Sequence, residues 1–389
     1  MVLAPFLAAL MAAAPAPAAG GDGALDAAVR DMCHRDVAML GEADHGDGRT
    51  VEFKVALVQA LVRRCRFNAV FFEGSHYDFL EFSRLVRTGA PASPDMVSAA
   101  IGGLWKFDRE MQPLIPFLFA EARAGRIALG GIDDQVGGMG AFFANDGLPR
   151  SLSAHLPGAE RRAECGDLIR RRIYSDFGGR YGAAEKARIQ ACLADIGGAL
   201  MRGAGRDRRT REEALQMVAS VDRQIARDQE DFATYPRERD RSMYLNFRWL
   251  ADRLPRRSKI IVWAATAHVA KDAGATGQFA GGRNFGAYVH EAYGRRAFAL
   301  GFSALAGTHY WSRQEPARAF AAAAPGSLEA EALDGVRGDT AYLGPGGLAA
   351  LGPVSGGALR FHEPLLLRWS EVLDGVVVFR SERPPARTD

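Results

Sequence analysis

Val37-Ala38-Met39-Leu40-Gly41-Glu42-Ala43-Asp44-His45-Gly46-Asp47-Gly48 sets the pattern that the rest of the chain repeats. An apolar run of strand length stops at a glycine, and polar residues follow at once. From Val51 to Arg64 the apolar positions then recur at helical spacing. Strand, polar turn and helix make one unit, and the same unit returns along the chain. Ala69–Phe72 leads into Glu73 and the helical pattern Tyr77–Arg87. Ile127–Leu129 leads into Gly130–Asp133, and Ile260–Ala264 leads into Ala265–His268. Further strand-like runs are Phe298–Phe302, Ala358–Phe361 and Val376–Phe379. Further helical patterns are Arg109–Arg123 and Arg241–Leu254. Alternation of this kind predicts an α/β protein with a central, mainly parallel sheet flanked by helices.

Two blocks break the alternation. From Arg150 to about Arg237 there is no strand-like run, many charges and a 3.6-residue period at Leu215, Val218 and Val221. This predicts a helical insertion, with Arg161–Arg162 and Arg170–Arg172 on its solvated face. Gly326–Gly357 is rich in Gly, Ala and Pro and reads as an irregular connection.

The 389 residues are 48% hydrophobic and 24% charged, which excludes disorder, collagen and coiled coil as whole-chain descriptions. A formal net charge of +3 is too balanced for a nucleic-acid binder, which shows a basic face or stripe. Only five of the basic residues are Lys (54, 106, 186, 259 and 271) and 44 are Arg, a compositional bias rather than a phosphate-binding signal. Met1–Ala19 carries no charged side chain and is apolar from Val2 to Ala14. Small residues at Ala16, Ala18 and Ala19 precede the polar Gly20-Gly21-Asp22-Gly23. The expectation is a secretory signal over 1–19 and an α/β unit over 20–389, exported to the periplasm or secreted. No stretch reaches the ~20 apolar residues of a membrane span, so the mature chain is expected to have none. Cys33, Cys65, Cys165 and Cys192 form no C-x-x-C pair. In an oxidising compartment three pairings into two disulfides exist. Cys33 with Cys65 and Cys165 with Cys192 would each stay local, and four buried thiols are the alternative.

G-x-S-x-G, H-E-x-x-H and G-x-x-x-x-G-K are all missing. What stands out is the set of polar residues closing the strand-like runs, on the sheet edge where open α/β folds bind ligands. They are Glu42, Asp44 and His45; Glu73 and His76; Asp133 and Asp134; and His268.

These segments resemble the erythromycin esterase family. Gly41, Glu42, His45 and Gly46 match its G-E-x-x-H-G segment, and Glu73 matches the glutamate closing its next strand. Leu104–Glu110, read as a tryptophan-led helix around Trp105, and Gly131–Asp133 match the segments that follow. Arg239-Asp240-Arg241-Ser242-Met243-Tyr244-Leu245-Asn246 matches R-D-x-x-M-x-x-N. Trp263–His268 matches W-A-x-x-x-H, and Gly282–Gly307 resembles a later glycine-rich stretch. The resemblance runs from Val37 to Gly307. It implies an α/β fold with a helical insertion and a deep cleft, and a hydrolase in which histidine and glutamate activate water. Where esterase members carry H-N-x-H, this chain has Ala265, Thr266 and His268. His45-Gly46-Asp47-Gly48 also departs from their H-G-T form. Both departures point away from macrolide ring cleavage and leave ester hydrolysis as a class.

The chemistry implied needs no cofactor. His45 is the side chain suited to act as base near neutral pH. Glu42 or Glu73 orients its ring, and His268 donates to an oxyanion or leaving group. His76, Asp133, Trp105 and Arg239 are the expected substrate-binding residues, although a structural ion pair explains Arg239–Asp240 equally well. The substrate is a small ester or acylated molecule. Two other readings stand. Glu42, His45, Glu73 and His268 have the donor types of a divalent-metal site, and distantly similar Tiki and TraB-type proteins associate such residues with metal. Alternatively, the chain is a binding protein that kept the fold and lost the activity.

Overall fold

The computed structural model describes residues 19–20, 22–135, 141–174, 182–203, 207–228, 230, 234–310, 316–361 and 363–388. All but the last residue of the expected signal segment lies outside these residues. Among the described residues twelve strands are formed: β1 Ala19–Gly20, β2 Val37–Leu40, β3 Ala69–Ser75, β4 Ala128–Asp133, β5 Ile260–Trp263, β6 Ala297–Ala304, β7 Gly307–His309, β8 Arg318–Phe320, β9 Thr340–Leu343, β10 Pro353–Gly356, β11 Leu365–Arg368 and β12 Gly375–Phe379. Eight build the central sheet in the order β1-β9-β12-β6-β2-β5-β3-β4. From β12 to β4 every neighbouring pair is parallel, and only β9 runs the other way, pairing antiparallel with both β12 and β1. The α/β expectation is met.

The strands are apolar throughout because both faces of the sheet are covered. Alternate residues divide between two cores. Ala38, Leu40, Ile261 and Trp263 meet the helices Asp22–Met32, Gly48–Cys65, Pro94–Ile101 and Leu114–Arg123. Val37, Met39, Ile260 and Val262 meet Tyr235–Ala251, Phe285–Tyr293, Leu328–Leu333 and Pro345–Leu351. The expected insertion is the helices Gly147–Ser153, Ala159–Tyr174, Ala183–Arg202 and Arg208–Arg227, which follow β4. They enclose a third core around Leu168, Ile189, Leu193, Val221 and Ile225, closed against Tyr77 and Leu80 of the helix His76–Thr88.

Both local disulfides are present. Cys33–Cys65 ties the end of the first helix to the last residue of Gly48–Cys65, and Cys165–Cys192 staples two helices of the insertion. Three local readings are corrected. Gly326–Gly357 is not irregular, for it holds two short helices, β10 and the sheet strand β9. Ala358–Phe361 is not a strand, since its apolar residues are buried in irregular chain. Leu104–Glu110 is a series of turns, so the helix expected from Arg109 begins at Leu114.

Candidate active site

β2, β5, β3 and β4 are adjacent in the sheet and parallel, so their C-terminal ends open on one edge. Glu42 leaves β2 and is buried. Its Oε1 accepts the indole N–H of Trp105 at 2.9 Å and lies 2.8 Å from His45 Nδ1, while Oε2 accepts from Lys54 Nζ at 2.7 Å. Lys54 is fully buried on the first helix after β2, with its ammonium 4.0 Å from the centre of the Trp263 ring. Burial pushes the Lys54 ammonium below its usual range, and the charge and hydrogen bond of Glu42 oppose that shift. His45 stands edge-on to Trp105, ring centres 5.4 Å apart, with 30% of its side chain exposed. Burial lowers its pKa, but the hydrogen bond and charge of Glu42 and then the charge of Glu73 leave it raised overall.

Glu73 lies where the pairing of β3 with β4 shifts register between Phe72 and Ser75, an irregularity that re-aims the side chain at the end of the strand. Its Oε1 accepts from Arg239 Nη2 at 2.8 Å and lies 3.3 Å from His268 Nε2, while Oε2 accepts the Ala265 N–H at 3.0 Å. Arg239 also grips Asp133 through Nη2 at 2.6 Å. His268 Nδ1 lies 2.7 Å from Asp240 Oδ1, and Asp240 Oδ2 accepts the Phe285 N–H at 2.8 Å. Burial disfavours the His268 cation, yet the charges of Asp240 and Glu73 overcome that and push its pKa up to about 10. Burial likewise raises the Glu73 carboxyl, but the charge of His268 and then that of Arg239 hold it well below the usual range. At neutral pH His268 is therefore an imidazolium between two carboxylates.

One turn joins the two halves. Ala265 donates its N–H to the Glu73 carboxylate and Thr266 donates its own to the Glu42 carbonyl at 2.8 Å. Thr266 packs so closely on β2 that a Cβ at Gly41 would stand 2.4 Å from its hydroxyl. Glu42, His45, Glu73, His268, Trp105, Asp133 and Arg239 are thus gathered at one edge. His76 is not among their partners. It is fully buried, its Nδ1 meets the Gly131 carbonyl at 2.8 Å, and it packs against Tyr77 and Trp249. Desolvation pushes its pKa down to about 4, so it is a neutral ring. Of the four residues offering metal-donor types, Glu42 is engaged by Lys54 and Trp105, Glu73 by Arg239 and His268 by Asp240, while His45 meets Glu42 itself. A cavity of about 460 Å³ in the insertion, lined in part by Arg150, Arg162 and Arg170, shares no residue with this cluster. Lys54 and the orienting role of Asp240 went unread in the sequence. The signal for Lys54 is a cation amid Val51, Val55 and Val58, and for Asp240 its phase with Met243 and Phe247.

The erythromycin esterase family model matches residues 62–345, a span holding Glu73, Asp133, Arg239 and His268 and beginning after Glu42 and His45. The chain belongs to the erythromycin esterase family. Three solved structures share its fold. A Bacillus cereus protein is 17% identical, covering 96% of this chain and 97% of its own, with a TM-score of 0.75. A succinoglycan biosynthesis protein is 15% identical, covering 95% of each chain, with a TM-score of 0.70. A histidine-to-asparagine mutant of the erythromycin esterase EreC, in its open conformation, is 16% identical over 94% of this chain and 95% of its own, with a TM-score of 0.64. No curated protein matches the sequence. Membership supports a hydrolase of this family's type acting on a small molecule. No helix among the described residues is long and apolar enough to cross a membrane.

Proposed function

We propose that this protein is an exported hydrolase that cleaves a carboxylic ester in a small acylated molecule, using water activated by His45. The observation that carries the reading is the fixing of the His45 ring. Glu42, itself pinned by Lys54 and Trp105, takes Nδ1–H, which leaves Nε2 with its lone pair on a half-buried side chain at the strand ends. In the reaction Nε2 takes one proton of a water as its oxygen bonds to the ester carbonyl carbon, and the carbonyl electron pair moves to oxygen. Glu42 stabilises the imidazolium that forms. The cationic Arg239 and His268 offer positive charge to the oxyanion. On collapse the C–O bond to the alcohol breaks, and His45 returns the proton to the departing oxygen. Asp133 and Glu73 hold Arg239 in place, and Trp105 holds Glu42.

Export is part of the same proposal, with 1–19 as the cleaved signal and 20–389 as the working unit. The two disulfides support it, because such bonds persist in oxidising compartments. N-terminal sequencing of secreted material should begin near Gly20 or Gly21, and an intact Met1 or Val2 would remove this part. For the chemistry, a panel of acyl esters is assayed with wild type and with His45→Ala and His45→Gln. Both variants should keep the wild-type circular dichroism and lose on the order of 10²–10⁴-fold in turnover. Wild-type rates in a folded variant would leave the binding-protein reading in its place.

A further inference from the structure

Two acids of the Gly41–Gly48 loop take no part in the cluster above. Asp44 and Asp47 flank His45 in sequence and are 4% and 0% exposed, and His309, at the end of β7, is 7% exposed. One donor atom from each, a carboxylate oxygen twice and an imidazole nitrogen once, lies within 4.8 Å of the other two. Asp44 Oδ2 stands 3.2 Å from His309 Nδ1. The loop is held in this shape by its own backbone, since the Asp44 N–H donates to Asp47 Oδ2 at 2.8 Å. It is also pressed onto the segment after β7, where a Cβ at Gly46 would stand 2.0 Å from the Tyr310 carbonyl oxygen.

The other carboxylate oxygen points to what the place is for. Asp47 Oδ1 is buried and has no hydrogen-bond partner among the described residues. A buried carboxylate oxygen left without donor or cation is costly, and here a second carboxylate stands beside it. Glu382, the next acid, brings no relief. Its oxygens accept the N–H groups of Arg49, Thr50 and Arg383 and the Thr50 hydroxyl, so it caps the helix Gly48–Cys65. On the far side the His309 ring meets Phe320 and Phe361, ring centres 5.9 and 5.8 Å away, which makes that wall apolar.

We propose that Asp44, Asp47 and His309 bind a divalent cation, Zn²⁺ or Mn²⁺, that fixes the loop carrying His45. Two carboxylate oxygens and one imidazole suit borderline Zn²⁺ and also the harder, oxygen-preferring Mn²⁺, whereas Ca²⁺ calls for six or more oxygens. The ion supplies the partner that Asp47 Oδ1 lacks among the described residues and ties the loop after β2 to β7, which lies 265 residues on from Asp44 in sequence. Its role is to hold the loop, and it is separate from Glu42, His45, Glu73 and His268. The site does not depend on the esterase reading.

The test uses the full chain, stripped with EDTA, dialysed against equimolar ZnCl₂ and MnCl₂, and assayed by elemental mass spectrometry and thermal melting. Wild type should retain one ion per chain and melt higher with it. Asp47→Asn and His309→Gln should each weaken retention at least about tenfold while keeping native circular dichroism. His45→Ala and Glu73→Gln should retain the ion fully. Should neither site variant fold, Mn²⁺ must broaden the His309 ring resonances of wild type ahead of those of His268. Wild type that retains no ion overturns the proposal. So does unchanged retention in both site variants, loss confined to His45→Ala and Glu73→Gln, or His309 resonances that stay sharp.

Discussion

Glu42 is asked to do two things at once, and a double-mutant cycle with Lys54 separates them. Its carboxylate orients His45 and also neutralises Lys54, and both members of the Lys54–Glu42 pair are at most 1% exposed. Removing one partner of a fully buried ion pair leaves the other charge without compensation, at a cost of about 3–5 kcal/mol. Glu42→Gln strands the ammonium, which keeps only the face of Trp263 and one amide oxygen. Lys54→Met strands a carboxylate still held by Trp105 and His45. Each single variant should therefore lose about 3–5 kcal/mol in guanidinium unfolding followed by circular dichroism. The double variant buries no charge at that spot and should fall short of additivity by about 1–3 kcal/mol. Turnover should behave differently. It should fall in Glu42→Gln and stay low in the double variant, because restored stability does not restore a carboxylate behind His45. Single variants within about 0.5 kcal/mol of wild type, or losses that add within that margin, would refute the reasoning.

Three further outcomes are expected. The pKa of His268 is raised to about 10 against 6.5, so the stability it contributes is complete below about pH 6.5 and is lost as pH rises through about 10. Asp240→Asn, which removes the carboxylate charge 2.7 Å from His268 Nδ1, should flatten that loss and lower the pKa followed by ring NMR; a His268 that titrates near 6.5 in wild type sinks this account. Trp105→Phe removes an indole N–H from Glu42 and should lower kcat at constant KM, whereas a rise in KM alone would place Trp105 at the substrate instead. Removing Cys165–Cys192, which closes 27 residues of sequence, should cost about 3–4 kcal/mol in unfolding experiments, and mass mapping that found both thiols free without reductant would contradict the pairing.

Much of the fold could be read because its strands are buried on both faces. Val37–Leu40 and Ile260–Trp263 have no solvent side, so they appear as unbroken apolar runs, and the polar residue ending each run marks the sheet's functional edge. The same rule misfires at Ala358–Phe361. Ala358, Leu359 and Phe361 are as buried as any strand residue, yet they pack as irregular chain, because an apolar run signals burial and not pairing. It misses Thr340–Leu343 for the opposite reason, since this short strand lies near the sheet edge among glycines and prolines that read as loop. The candidate site was legible as a set of residue types but not as a set of partners. Which carboxylate faces which cation depends on pairings far apart in sequence. Glu73 meets Arg239 166 residues away, and Trp105 meets Glu42 63 residues away. Helical phase would have flagged Lys54 and Asp240, for each stands on the apolar stripe of its helix, where an ionised group must find a counter-charge.

The same partners explain how the turn after β5 tolerates its unusual sequence. Family esterases place a histidine and an asparagine where this chain has Ala265 and Thr266. Here those positions serve through their backbone, the Ala265 N–H holding the Glu73 carboxylate and the Thr266 N–H holding the Glu42 carbonyl. Neither bond depends on the side chain, so exchanging both residues leaves the Glu42–His45 and Glu73–His268 arrangements standing. What the exchange alters is the side chains near His268 in sequence, an imidazole and an amide giving way to the methyl of Ala265 and the hydroxyl of Thr266. The expected consequence is a change in which acyl or alcohol group the edge accepts, with the water-activating cluster retained. Restoring Ala265→His and Thr266→Asn should therefore shift preference within an ester panel while His45→Ala still abolishes turnover on every member of it. A restored variant that hydrolyses its new esters without His45 would mean the turn, and not the β2 loop, supplies the base.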